Sequence, residues 1–355
     1  MLKKILVLMI SMLFVSCLMK KGSENKMQIM KNVPSEKIVF DLSADDARVF
    51  YLSDLAHPVF DVKAGLAVGP SGEISILEPD VGRIRGFNPE GKLLSTLTLD
   101  RICGTLGMIN KRTDMNIANI FSSGKYLASA LVHQESTKDL VNQYWLVKYK
   151  VDTAQIAGLY KVPQLSRGTD WVNMSFLDKG GYLWLYTNKW LIYGPNGNLA
   201  AVLEQDASYV DTNGLLYVIS DKVQMIDREG RIVAKLKVEQ GADVDIDGGD
   251  SEAFLFFWDR REENVHIHSR EIDTYRNVVV LYQVRSEIQR LDLIGRFELK
   301  PTKLIYPLSN PEIAVPIETY IKELAVVRGK YLYVLAYSED RYWVDRYDFS
   351  PWCVP

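Results

Sequence analysis

The densest set of potential metal ligands in this chain is Asp243-Val-Asp245-Ile-Asp247-Gly248, followed by Asp250 and Glu252. Alternate carboxylates ahead of a glycine that permits a sharp turn are how a loop wraps oxygens around Ca²⁺. The bidentate Glu that closes such a loop is missing, because Phe254 stands at its twelfth position. The same residues read more simply as an inner strand ending in an Asp-Gly turn. A second set is His266 and His268, two apart, so that on a strand both imidazoles face one side as a metal site requires. Asp259, Glu262 and Glu263 precede them as sources of a third ligand, and the polar edge of a sheet accounts for the same residues without a metal. No cofactor is required by these patterns, while Ca²⁺ or another divalent ion is compatible with them. His57 and His133 are isolated and read as surface residues. The motifs GxSxG, HExxH, GxxxxGK[ST] and GxGxxG are absent.

The three cysteines, Cys17, Cys103 and Cys353, lack CxxC spacing and are too few for a disulfide scaffold. Cys17 closes a different pattern. Lys3 and Lys4 precede an apolar run from Ile5 to Val15, then Ser16 and Cys17, the order of a secretory signal peptide. As a helix the run rises about 16 Å, roughly half the hydrocarbon core, which disfavours a permanent span. Phe14-Val15-Ser16-Cys17 resembles a bacterial lipobox, with Phe14 where Leu is usual, in the manner of the relaxed lipoboxes of spirochaetal lipoproteins. The resemblance implies removal of residues 1–16, acylation of Cys17 with palmitate-type chains, and a lipid bilayer as partner. A plain signal-peptidase site, or a cytosolic chain with an apolar N-terminus, are the alternatives. Residues 18–36 are polar and Lys-rich, so that 17–36 reads as a tether.

What must position these residues is a packed core: 355 residues, 47% apolar and 25% charged, belong to a globular protein. With 42 basic against 45 acidic residues, the chain lacks the positive excess of a nucleic-acid binder. Helical periodicity is almost absent, and short alternating runs bounded by Gly, Pro, Asn and Asp recur throughout, so the chain reads as all-β. The clearest unit is 66–97: Leu66–Val68, Glu73–Leu77, Arg83–Asn88 and Lys92–Leu97 are strands, separated by turns at Pro70-Ser71-Gly72, Pro79–Gly82 and Pro89-Glu90-Gly91. The pattern returns in 171–203 with Gly180-Gly181 and Pro195-Asn196-Gly197, and in 208–238 with Asn213-Gly214 and Arg228-Glu229-Gly230. A longer copy spans 117–162, with turns at Ser122-Ser123-Gly124 and His133–Leu140; an irregular one spans 241–300; a fifth, 324–349, stops before its fourth strand. Four antiparallel strands per unit make a propeller blade.

The paired segments AVGPSGEISIL…GFNPEGKLL, GGYLWLY…YGPNGNLAAVL and NGLLYVI…IDREGRIVAKL resemble NHL-type and TolB-like β-propellers. The resemblance implies a six-bladed ring, with seven blades as the alternative, over residues 37–355. An N-terminal strand at about 37–43 is expected to complete the last blade and close the ring. Closure makes the first and last blades neighbours, so Cys103 and Cys353 are a disulfide candidate, with two separate thiols as the alternative. Propeller lactonases hold an axial metal through Glu, Asn and Asp of different blades, which implies Asp61, Asn119, Asn173 and Asp211 as axial candidates. Most of the Tyr and Trp residues are expected between blades. The combined expectation is a lipid-anchored envelope protein whose propeller binds a protein or polymer, with no nucleic-acid partner; a metal-dependent hydrolase or lactonase acting at the axis is the alternative.

Overall fold

A computed structural model describes residues 33–40, 65–78, 81–108, 115–136, 141–162, 172–206, 209–219, 222–238, 248–250, 254–259, 272–285, 289–305, 315–337 and 341–352. The first blade is an antiparallel meander of β2 (Gly65–Val68), β3 (Ile74–Glu78), β4 (Arg83–Phe87) and β5 (Leu93–Thr98). The next three are β6 (Met115–Gly124), β7 (Leu127–Ser136), β8 (Val141–Lys150) and β9 (Ile156–Lys161); β10 (Met174–Leu177), β11 (Leu183–Tyr186), β12 (Trp190–Tyr193) and β13 (Leu199–Leu203); and β14 (Tyr209–Val210), β15 (Leu216–Ile219), β16 (Val223–Ile226) and β17 (Ile232–Val238). The chain continues through β18 (Gly248–Asp250), β19 (Phe254–Asp259), β20 (Ile272–Arg285) and β21 (Arg290–Ile305) to β22 (Val315–Arg328), β23 (Tyr331–Tyr337) and β24 (Tyr342–Asp348). β1 (Ser35–Val39) lies antiparallel beside β24, Ile38 opposite Val344 and Lys37 opposite Asp345.

The arrangement is all-β and propeller-like, and it corrects the expectation of six or seven blades: the described residues form five blades and a half-barrel sheet. The reason lies in the irregular segment. β20 and β21 run for 14 and 16 residues, against four to seven in most blade strands. Their excess length carries hydrogen bonding onward, antiparallel from β21 to β22 and parallel from β17 to β21. No break separates these strands, so fourth blade, half-barrel and last blade form one twelve-stranded sheet.

The repeated turns have one geometry. In the first hairpin of the third blade the Asp178 N–H donates to Tyr182 O and the Gly181 N–H to Asp178 O; the fourth blade repeats this with Asp211, Gly214 and Leu215. Gly181 and Gly214 have φ of 77° and 76°, where a Cβ is strained, which explains the glycine at that place. Third hairpins follow the same rule at Gly91, Gly197 and Gly230, and in each the outer strand takes a register shift just after the turn, opposite Phe87, Tyr193 and Ile226. The second blade departs from its expected turns. β6 continues through Ser122–Gly124 to a turn at Lys125-Tyr126, and β7 continues to Ser136. A further departure is α1 (Leu99–Leu106), which the missing helical periodicity hid. Thr98 caps its N-terminus, Gly107 its C-terminus in the left-handed conformation, and Leu99, Ile102 and Cys103 bury one side.

Apolar clusters fill the spaces between successive sheets. Trp184, Trp190 and Ile192 meet Val210, Leu216 and Ile226 between the third and fourth blades. Leu131 and Leu146 meet Leu183, Leu185 and Tyr193 between the second and third. Trp184, Trp190, Tyr149, Tyr217 and Tyr342 are among the largest fully buried side chains, as expected for aromatics packed sheet against sheet. His133 is a correction: it is buried, not a surface residue, and stacks on Tyr144 at 4.7 Å.

Candidate functional site

Asn119, Asn173 and Asp211 are the axial candidates within the described residues, and their places differ. Asn119 sits within β6, where its Nδ2 donates to Ser175 Oγ of β10 at 2.9 Å, linking two neighbouring inner strands. Asn173 precedes β10 and its Nδ2 donates to Thr187 O at 3.0 Å. Asp211 follows β14, at the opposite end of an inner strand, and is a turn former. Its Oδ1 accepts from the N–H groups of Asn213 and Leu215, and its Oδ2 from the Tyr217 hydroxyl at 3.2 Å. The chain thus brings Asn119 to a polar partner on the next blade and places Asn173 and Asp211 at opposite ends of the inner strands.

Cys103 is buried on α1 with its Sγ 3.5 Å from Met115 Sδ. Cys17, Cys353, Asp61, Asp243, Asp245, Asp247, His266, His268 and His57 lie outside the described residues. Gly248, the glycine of the expected Asp-Gly turn, opens β18, and Gly249 pairs with Leu255. Among the described residues, no three His, Cys, Asp or Glu side chains are placed to hold a metal ion.

The structure adds a set of buried carboxylates that no local motif announces. Asp178 Oδ1 accepts from the Tyr182 N–H, and its Oδ2 from Trp184 Nε1 at 3.1 Å and from Arg228 Nε at 3.0 Å. Arg228 belongs to the next blade, and its guanidinium also lies 4.1 Å from the Tyr182 ring centre. One carboxylate therefore ties a turn, a core indole and the adjacent blade. In the first blade Gly69 takes the place of Asp178, and the Glu73 carboxylate fills the space that a side chain on Gly69 would occupy. Glu73 then accepts from Ser71 N and from Tyr126 N of the second blade at 2.5 Å. Burial, with the charge of Asp178 adding to it, pushes the Tyr160 phenol up to about 12. Burial, followed by the Asp211 charge, likewise raises Tyr217.

First and last blades meet through a comparable group. The Tyr342 hydroxyl donates to Glu78 Oε1 at 2.7 Å, Arg83 pairs with Oε2, and Arg85 Nε lies 3.3 Å from the same oxygen. Burial and the charge of Glu78 raise the Tyr342 phenol. Arg328 donates to Val68 O through Nη2 at 2.8 Å. Ile38 and Phe40 join Leu66, Val68, Ile74 and Phe87 to Leu335, Tyr342 and Val344 in one cluster. The expected N-terminal strand thus lies at 35–39 rather than 37–43, and it pairs with the last blade. These carboxylates all accept from several donors, which makes them anchors of the sheets.

The surface offers a different feature. Among the described residues the exposed large hydrophobics are Val39 on β1, Val81 in the second hairpin of the first blade, and Leu159, Leu199, Val202, Ile232 and Val233 on the outer strands of the second, third and fourth blades, all 38–50% exposed. Leu199 and Ile232 hold equivalent positions, opposite Tyr193 and Ile226 at the shifted register; Leu159 and Val202 likewise, opposite Val147 and Leu191. Alternation made these strands legible, but not which of them leave large aliphatic side chains in water.

No protein-family model matches the chain, and no curated protein matches it. Solved structures of similar shape include a protein of unknown function from Bacteroides caccae, 11% identical over 66% of this chain and 81% of that one, TM-score 0.42. A streptogramin B lyase is 8% identical over 89% and 98%, TM-score 0.40. BamB from Moraxella catarrhalis is 13% identical over 80% and 84%, TM-score 0.33. These are distant likenesses of fold.

Proposed function

We propose that this chain is an exported binding scaffold of the bacterial cell envelope, tethered to a bilayer through acylated Cys17, whose propeller docks a protein partner on its outer strands. The observation that carries the docking is the run of exposed Leu159, Leu199, Val202, Ile232 and Val233 on three consecutive blades. Large aliphatic side chains left exposed on neighbouring elements support a contact site. The anchor rests on the order Lys3-Lys4, apolar run, Ser16, Cys17. Among the described residues no helix is long and apolar enough to cross a membrane.

The scaffold reading includes a ring closed by β1. Its support is a repeated contact: the third-hairpin glycine of a blade rests on the outer strand of the blade before it. Gly197 lies against Lys161 O, Gly230 against Leu203, and Gly91 of the first blade against Val39 O of β1. β1 thus takes the part that β9 and β13 take elsewhere. The test is in cells. A photo-crosslinking residue at 199, 202 or 232 is expected to give a discrete adduct, and one at Glu90 none. Labelled palmitate is expected in the wild-type chain and not in Cys17→Ser. Equal adducts at all four positions would remove the docking face, and palmitate-free wild-type protein the anchor.

A further inference from the structure

We infer that the first hairpins of the blades form a cationic arc that receives an acidic segment of a partner protein. The arc is built from other strands than those bearing the exposed aliphatic residues, and it stands whatever those residues dock. Contacts between successive blades set these hairpins side by side. Arg328, next to the Gly329-Lys330 turn of the last blade, donates to Val68 O beside the Pro70-Ser71-Gly72 turn of the first. Glu73, on the other side of that turn, accepts from Tyr126 N in the Lys125-Tyr126 turn of the second blade. Lys148 Nζ of the second blade lies 3.9 Å from where a Cβ on Gly181 of the third would stand. The Lys179 N–H of the third blade donates to Thr212 O in the first hairpin of the fourth at 2.7 Å.

What these hairpins show to water is basic. Lys125, Lys179 and Lys330 stand exposed at the turns of the second, third and last blades, and the turns of the first and fourth expose Pro70, Ser71 and Asn213, which carry no charge. The acids of the arc, Glu73, Asp178 and Asp211, are buried and accept from the donors described above. Lys148, Arg228 and Arg328 add to the three lysines, so positive charge outweighs those carboxylates. The third hairpins flank the arc, since Gly72 and Gly181 lie against Pro89 and Pro195. There the exposed charges are mixed, Glu90, Asp152 and Glu229 beside Lys92 and Arg231. That difference selects the occupant. A flat anionic surface such as a bilayer would press on the flanking carboxylates as well as on the lysines, and like charges brought together cost binding. A narrow segment bearing carboxylates meets the lysines alone and is drawn to them by their combined field. With 42 basic against 45 acidic residues, the chain has no wider positive field to hold a phosphate polymer, so the segment is a peptide.

The probe is a labelled hexaglutamate peptide, titrated by fluorescence anisotropy against the full chain at low salt, with hexalysine and a six-residue oligothymidylate as comparisons. Hexaglutamate is expected to bind and hexalysine to fail. Lys125→Gln with Lys179→Gln and Lys330→Gln is expected to weaken hexaglutamate about tenfold, as the loss of several exposed charge contacts does. Lys235→Gln with Lys237→Gln, exposed lysines of β17, is expected to leave it unchanged. Equal weakening by both sets of variants, or by neither, would show attraction to lysines at large and overturn the arc. Tighter binding of oligothymidylate than of hexaglutamate, lost in the triple variant, would assign the arc to a phosphate chain and refute the acidic peptide. A concentration-dependent dimer abolished by the triple variant would assign it to a second copy and refute a separate partner. Adducts at 199, 202 and 232 test the outer strands alone, so either contact can fail without the other.

Discussion

Replacing Asp178 by alanine tests whether the buried carboxylates hold the blades together. The Asp178 side chain is fully buried, and three donors lose their acceptor at once. Trp184 is inaccessible to water, so its stranded indole N–H costs about 1–3 kcal/mol. The Tyr182 N–H belongs to a half-buried residue, and water recovers part of its loss, leaving about 1 kcal/mol. Arg228 is 30% exposed, so the lost ion pair is discounted to at most about 1 kcal/mol. The total is about 2–5 kcal/mol, which at roughly 2 °C per kcal/mol for a chain of this size lowers Tm by about 4–10 °C. The assay is urea and thermal unfolding of Asp178→Ala, Trp184→Phe and the double variant. Because Trp184→Phe removes the stranded donor, the double variant should recover about 1–2 kcal/mol relative to additivity. A loss below about 1 kcal/mol in Asp178→Ala, or strict additivity in the double variant, would refute the account.

Three further outcomes are expected. Phe40→Ala removes a ring 4.2 Å from Phe87 and 5.4 Å from Tyr342 and should cost about 3–5 kcal/mol, read by thermal unfolding; an unchanged Tm would show that the β1 segment does not stabilise the first and last blades. Asp227 is slightly buried, which opposes its charge, yet hydrogen bonds from Arg231 and its cation hold the carboxyl below 3.8. Its contribution is therefore present above that value and fades as pH falls through the lower folded value, so Asp227→Asn should destabilise at pH 7 and match wild type near the acid limit of folding; an equal deficit at both ends would contradict this. Tyr342→Phe strips Glu78 of its hydroxyl donor while leaving Arg83 and Arg85, and should cost about 1–2 kcal/mol in urea unfolding; a stabilised variant would refute the role given to that bond.

The blades were legible because their signals are local. A glycine at a positive-φ turn position, as at Gly181 or Gly214, declares itself within four residues, and the aliphatic-aromatic run Leu183–Tyr186 declares a strand within four more. The half-barrel was not legible, because β20 and β21 become long through pairing with each other over thirteen positions, not through a distinctive residue pattern. α1 escaped because eight residues with three buried positions give too short a period to detect. His133 was misread as a surface residue because its cover, Tyr144, comes from the next strand.

By itself the sequence determined that this chain is mostly β, turns on glycine and repeats a four-stranded unit. These follow from backbone strain and side-chain alternation, which depend only on neighbours along the chain. Tertiary structure alone decided that Asp178 is a clamp, since Arg228 lies 50 residues away, and that Asn173 and Asp211 stand at opposite ends of their strands. It also decided that hydrogen bonding merges twelve strands into one sheet, and that Leu199 and Val202 meet water while Trp184 and Trp190 do not. Burial and edge pairing depend on which sheet arrives alongside, and nothing local to a strand contains that information.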